Sequence, residues 1–121
     1  MILLDTNAVL YHLHGKLGEP LPDRSLNVSV ITEIELLGFP DIKPHEVHAI
    51  EHFLKQVMIL DISSNVKREA IRLRQTAAAK LPDAIIAATA IAHGLELWTN
   101  DSRFAGIPGV QCRTLKLKNP S

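Results

Sequence analysis

The chain has 121 residues, a size for one domain, and 46% of them are apolar, which excludes a disordered polymer. Thirteen basic residues balance thirteen acidic ones, so no global positive field holds it to nucleic acid. The lone cysteine, Cys112, forms no internal disulfide, and no targeting segment or membrane-length apolar run is visible. These features predict a cytoplasmic protein with no membrane attachment.

Met1–Leu4 is an uninterrupted apolar run ending at Asp5 and reads as a buried strand. Thr6 to Leu13 follows with helical spacing. Gly15 to Asp23 holds two glycines and two prolines and reads as a loop. Asn27 to Ile31 is β-rich, and Thr32 is a candidate cap for a helix running to Leu37, where Gly38 and Pro40 stop it. Pro44 opens a helix whose stripe is Val47, Ile50, Phe53, Leu54 and Val57. Met58 to Ile62 reads as a third strand.

Ser63 and Ser64 are candidate caps for a helix expected to reach Lys80. Its stripe is Val66, Ala70, Leu73 and Ala77. Pro82 starts a helix over Asp83 to His93, apolar all round and therefore buried, with Gly94 as its stop. Leu95 to Thr99 and Val110 to Leu115 complete five expected strands. The alternation predicts one α/β domain over residues 1–115, with a parallel sheet flanked by helices. Residues 116–121 read as a frayed tail.

Four acids fall where ligands meet such sheets, beyond the carboxyl ends of strands. Asp5 directly follows the first strand and Asp101 lies just past the fourth. Glu35 is a turn into the helix after the second. Asp83 opens the buried helix that leads to the fourth. Two carboxylates about 4 Å apart repel by roughly 4 kcal/mol at an effective dielectric of about 20. A hard divalent cation removes that penalty, and Mg²⁺ or Mn²⁺ favours oxygen ligands. Each acid also has a structural reading. Asp5 and Asp101 suit helix caps, and Asp83 suits a positive helix end.

Leu3-Leu4-Asp5-Thr6-Asn7, Ser29-Val30-Ile31-Thr32-x-x-Glu35-Leu36, Leu81-Pro82-Asp83-Ala84-Ile85-Ile86-Ala87-Ala88-Thr89-Ala90 and Trp98-Thr99-Asn100-Asp101 stand in that order. Together they resemble the four motifs of PIN-domain nucleases, and more narrowly the VapC toxins of toxin–antitoxin pairs. The resemblance implies a Rossmann-like fold and a Mg²⁺-dependent endoribonuclease, with Mn²⁺ as an alternative ion. It also implies an RNA substrate, a homodimer and a cognate antitoxin. It makes Asp5, Glu35, Asp83 and Asp101 the catalytic and metal-binding quartet, with Thr6, Asn7 and Thr99 fixing the carboxylates. The family spacing selects Glu35 over Glu33, and two residues apart on a helix the pair faces roughly opposite ways.

Arg103 departs from the pattern, since many relatives carry an acid just before the phenylalanine that follows the fourth motif. Guanidinium suits phosphate, so Arg103 is a candidate RNA-phosphate contact. Lys67, Arg68, Arg72, Arg74 and Lys80 are further candidates for the RNA backbone, or simply a solvated face. His45, His48 and His52 share a polar helix face and read as solvated. Two other functions fit parts of this pattern. One is a non-catalytic PIN-like module that binds RNA or protein. The other is an aspartyl phosphatase, which Asn7 disfavours because such sites want a second acid there.

Overall fold

A computed structural model describes residues 1–23 and 25–119. Its elements are β1 (Ile2–Leu4), α1 (Thr6–Leu13), β2 (Leu26–Ser29), α2 (Val30–Leu37), α3 (Pro44–Leu54) and β3 (Met58–Leu60). They continue with α4 (Ser64–Thr76), α5 (Leu81–His93), β4 (Glu96–Trp98), α6 (Ser102–Ala105) and β5 (Cys112–Arg113). The five strands form one sheet in the order β3-β2-β1-β4-β5. Every pairing is parallel, and Leu4 lies beside Val28 on one side and Trp98 on the other.

Side chains alternate across a strand, and both faces of this sheet are covered. That is why β1 reads as a solid apolar run. Leu3 and Leu97 face one core with Val66, Leu73 and the alanine-rich side of α5. Ile2, Leu4 and Val28 face the other with Val9, Leu36, Ile50, Phe53 and Leu54. The small residues Ala84, Ala87 and Ala88 are completely buried, so α5 approaches both the sheet and α4 closely.

Several boundaries differ from the sequence expectation, and β3, β4 and β5 are each shorter than their apolar runs. The second strand stops at Ser29, whose side chain accepts the Ile31 N–H at 3.1 Å and caps α2. Thr32 is therefore no cap; it is fully buried inside the helix. The fourth helix ends at Thr76 rather than Lys80. The chain must reverse there to lay α5 along α4, and Ala78 makes the reversal with a φ of 52°. The Arg74 guanidinium steadies the turn by donating to the Ala79 carbonyl at 3.2 Å.

The tail expectation also needs correction for Lys116 to Lys118. Leu117 bridges antiparallel to Leu17, and backbone bonds link Gly18 to Lys116 and Lys118 to Lys16. Pro120 and Ser121 lie outside the described residues. Among the described residues no helix is long and apolar enough to cross a membrane.

Gly94 closes α5 with a φ of +63°, and a Cβ there would meet nothing within 4 Å. The only cost of a side chain at this position is backbone strain. Gly94→Ala is expected to lose about 1 kcal/mol in a thermal melt, and Gly94→Asn less.

Candidate active site

Strand order places the site. β1 is central, with β2 on one side and β4 on the other, so the chain's direction of winding switches between β1 and β4. A crevice opens beyond the carboxyl ends of strands at such a point. Asp5 leaves β1 into this crevice, and Asp101 lies just past β4.

Asp5 is buried. Its Oδ1 accepts the Ala8 N–H at 2.7 Å, which caps α1, and its Oδ2 accepts from the Thr99 hydroxyl. Thr99 in turn accepts the Asp101 N–H at 3.0 Å. One buried hydroxyl thus ties together the ends of two strands. Burial pushes the Asp5 carboxyl above the ordinary range, and the nearby charges of Asp101 and Asp83 push it the same way. The Thr99 and Ala8 donors oppose the rise.

Asp101 caps α6 by accepting the Arg103 N–H at 2.9 Å. Asp83 stands in the first turn of α5. The cap readings and the site reading are therefore compatible: the geometry that caps a helix also aims the carboxylate at the crevice. Arg103 joins the two acids. Its guanidinium lies 2.6 Å from Asp101 and 3.4 Å from Asp83. Hydrogen bonding to that guanidinium holds the Asp101 carboxyl below the ordinary range.

Glu35 belongs to the edge of this arrangement. Its Oε1 accepts from the Thr6 hydroxyl at 2.6 Å, and Thr6 also lies 3.1 Å from the Thr32 hydroxyl. Since Thr6 follows Asp5 directly, this chain links α2 to the crevice. Glu33 points elsewhere, into a hollow with Leu37, Glu51 and Lys55. Asn7 is exposed and makes no side-chain hydrogen bond among the described residues.

Asp83 and Asp101 thus share Arg103, Asp5 is tied to the Asp101 backbone through Thr99, and Glu35 is attached through Thr6. No three His, Cys, Asp or Glu side chains among the described residues stand close enough to share a metal ion. The donor chemistry fits a hard cation nonetheless. It is all oxygen, and Asp5 is a buried carboxylate with no ion-pair partner among the described residues. Sequence reasoning named two contributors without their contacts. Thr32 is a hydroxyl partner rather than a cap, and Arg103 faces the acids. The i, i+2 spacing from Asp101 across a helix start was the available signal for the second.

The PIN domain model matches residues 2–110. The chain belongs to the PIN domain family. A chain of a toxin–antitoxin complex from Klebsiella pneumoniae is 37% identical to it, with a TM-score of 0.75. The alignment covers 91% of this PIN domain chain and 95% of that one. The same fold occurs in VapBC2 from Rickettsia felis, solved bound to a promoter DNA fragment. There the TM-score is 0.80 at 23% identity, covering 96% and 100% of the two chains. VapBC-1 from nontypeable Haemophilus influenzae gives a TM-score of 0.76 at 24% identity, covering 94% and 98%. No curated protein sequence matches the chain.

Around the site, the PIN domain's other candidate groups are placed plainly. His45, His48 and His52 are exposed, with His52 3.2 Å from Gln56. Lys67, Arg68, Arg72, Arg74 and Lys80 are exposed as well, and Arg72 is paired with Glu69 at 2.7 Å. The Trp98 indole donates to Glu96 at 2.7 Å and carries the Arg113 guanidinium 4.8 Å above its ring. Cys112 is exposed, with a thiol pushed upward in pKa chiefly by desolvation.

Proposed function

We propose that this PIN domain is a metal-dependent endoribonuclease and the toxin of a VapBC-type toxin–antitoxin pair. The observation that carries the reading is the placement of Asp5, Asp83 and Asp101 around the β1–β4 switch of a PIN fold, the first linked to Asp101 through Thr99 and the other two through Arg103. Asp5, Asp101 and Asp83 would hold Mg²⁺ or Mn²⁺, with Glu35 as a further ligand or as the group that orients the attacking water. The ion would supply a Lewis acid for the phosphate and for that water.

The chain's own residues do the rest. The Ala8 N–H and the Thr99 hydroxyl fix both oxygens of Asp5, so its carboxylate is set before any ligand arrives. Thr6 holds Glu35 in one orientation at the crevice edge, where its free oxygen can accept a proton from water. Exposed Lys80, the residue just before α5, would contact the RNA backbone.

Two partners complete the reading. A groove of about 450 Å³ runs from Thr6 and Glu35 past Leu10, Leu36, Ile42 and exposed Phe39, and offers apolar surface to a cognate antitoxin. Ile62, Ile71 and Leu81 expose an apolar patch beside α4 and α5 that a second copy of the chain would cover in a cytoplasmic homodimer.

Incubation of the purified chain with RNA tests the activity. Cleavage is expected with Mg²⁺ or Mn²⁺ and is expected to stop on adding a chelator. Equal cleavage with and without chelator would sink the metal-dependent reading. Metal binding with no cleavage of any RNA would favour the non-catalytic module.

A further inference from the structure

We propose that Arg103 is a built-in counter-cation of the acidic crevice, which a divalent ion must displace from Asp101 and Asp83. It is a positioning residue, and the inference rests on the metal-site reading above.

The local sequence sets this up. Asp101-Ser102-Arg103 begins a helix of only four residues, α6. Capping turns the Asp101 carboxylate back over the backbone N–H of Arg103, and the arginine side chain starts from that same residue. Its Nε donates to Oδ1 at 3.1 Å and to Oδ2 at 3.0 Å, while Nη2 donates to Oδ2 at 2.6 Å. Nη1 reaches across to Asp83 Oδ2 at 3.4 Å. Both Asp101 oxygens are therefore engaged, and one guanidinium spans two of the three converging acids.

A planar guanidinium and a divalent ion compete for the same lone pairs. They differ in reach. The arginine neutralises the outer pair, Asp83 and Asp101, and makes no contact with buried Asp5, whose oxygens are taken by Ala8 and Thr99. The metal-free crevice is thus quieted only at its rim.

Displacement asks little of the fold. The Arg103 side chain is 59% exposed, against 18% for Asp83 and 19% for Asp101, so the guanidinium can swing into water without opening the core. Phe104, the next residue, is buried and anchors α6 while the arginine moves. Arg103 thereby sets the metal concentration at which the crevice fills and keeps the acids tolerable below it.

Calorimetric titration of Mn²⁺ into chelator-treated wild type, Arg103→Met and Arg103→Lys tests this, alongside melts in EDTA. Arg103→Met is expected to bind Mn²⁺ about tenfold more tightly, a change on the scale of ordinary site–site coupling. Its melting temperature in EDTA is expected to fall, and its gain on adding Mn²⁺ to exceed that of wild type. Arg103→Lys retains charge without the two-pronged geometry and is expected to fall between. It also stands in if the methionine variant does not fold. Equal or weaker Mn²⁺ binding by a folded variant would overturn the proposal. Unchanged Mn²⁺ affinity with weaker RNA binding would do so too, and would make Arg103 a phosphate contact. If wild type itself binds no Mn²⁺, the metal-site reading beneath the proposal fails first.

Discussion

Replacing Asp5 by asparagine is expected to cut RNA cleavage by about a thousandfold or more while making the metal-free protein harder to melt. The first effect follows from placement. Asp5 is the most buried of the three acids, and its two oxygens are held by groups far apart in the chain, the Ala8 N–H in α1 and the Thr99 hydroxyl after β4. Loss of one fixed electrostatic group at a reacting centre costs on the order of a hundred- to a thousandfold. Here a proposed ligand goes with it.

The second effect follows from the same burial. Asn retains the Oδ1 that accepts from Ala8, and its Nδ2 donates to Thr99, so the shape and the cap survive. The charge, and its repulsion by Asp101 and Asp83, do not. A gain of about 1–2 kcal/mol is expected without metal. At about 4 °C per kcal/mol for a chain of this size, calorimetry in EDTA would read it directly. A variant that keeps full Mg²⁺-dependent cleavage would show that Asp5 is no part of the active site. A variant that melts below wild type in EDTA would show that the carboxylate is not a strained charge.

Leu97→Ala is expected to be the most damaging simple truncation, at about 3–4 kcal/mol. Leu97 is fully buried at the middle of β4 and faces α4 and α5 with Leu3, Leu73 and Phe104 around it. Parallel strands and a close alanine-lined helix leave little freedom to collapse around the hole. Chemical denaturation should show the midpoint fall with an unchanged slope. Activity should survive at temperatures where the variant is folded, because Leu97 belongs to the core and not to the acids of the crevice. A loss below about 1 kcal/mol would mean that this core repacks readily.

Much of the molecule was legible in the chain. The apolar run of β1, the Pro82 and Gly94 signals that bracket α5 and the stripe of α3 needed only periodicity and helix signals, because those patterns act within a few residues. The acids were legible for a related reason: each follows or precedes an element whose end is marked locally. Where competing local signals existed, the reading slipped. Ser29 and Thr32 are both good caps, and the structure chose Ser29 because Thr32 is needed inside, against Thr6. The alanines after Thr76 favour helix, yet the packing of α5 on α4 imposed a turn.

The sequence by itself determined the element types, the parallel α/β class, the family and the strand-end acids from which the site is built. Only the tertiary structure decided that β1 and β4 are neighbours. That adjacency brings Asp5 against Thr99, 94 positions away in the chain, and turns separate caps into one crevice. It also decided that Arg103 turns inward onto Asp101 and Asp83. The physical reason is range. Helix signals and burial patterns are local, whereas strand order and charge pairing depend on which helices share a face of the sheet, a property of the packed whole.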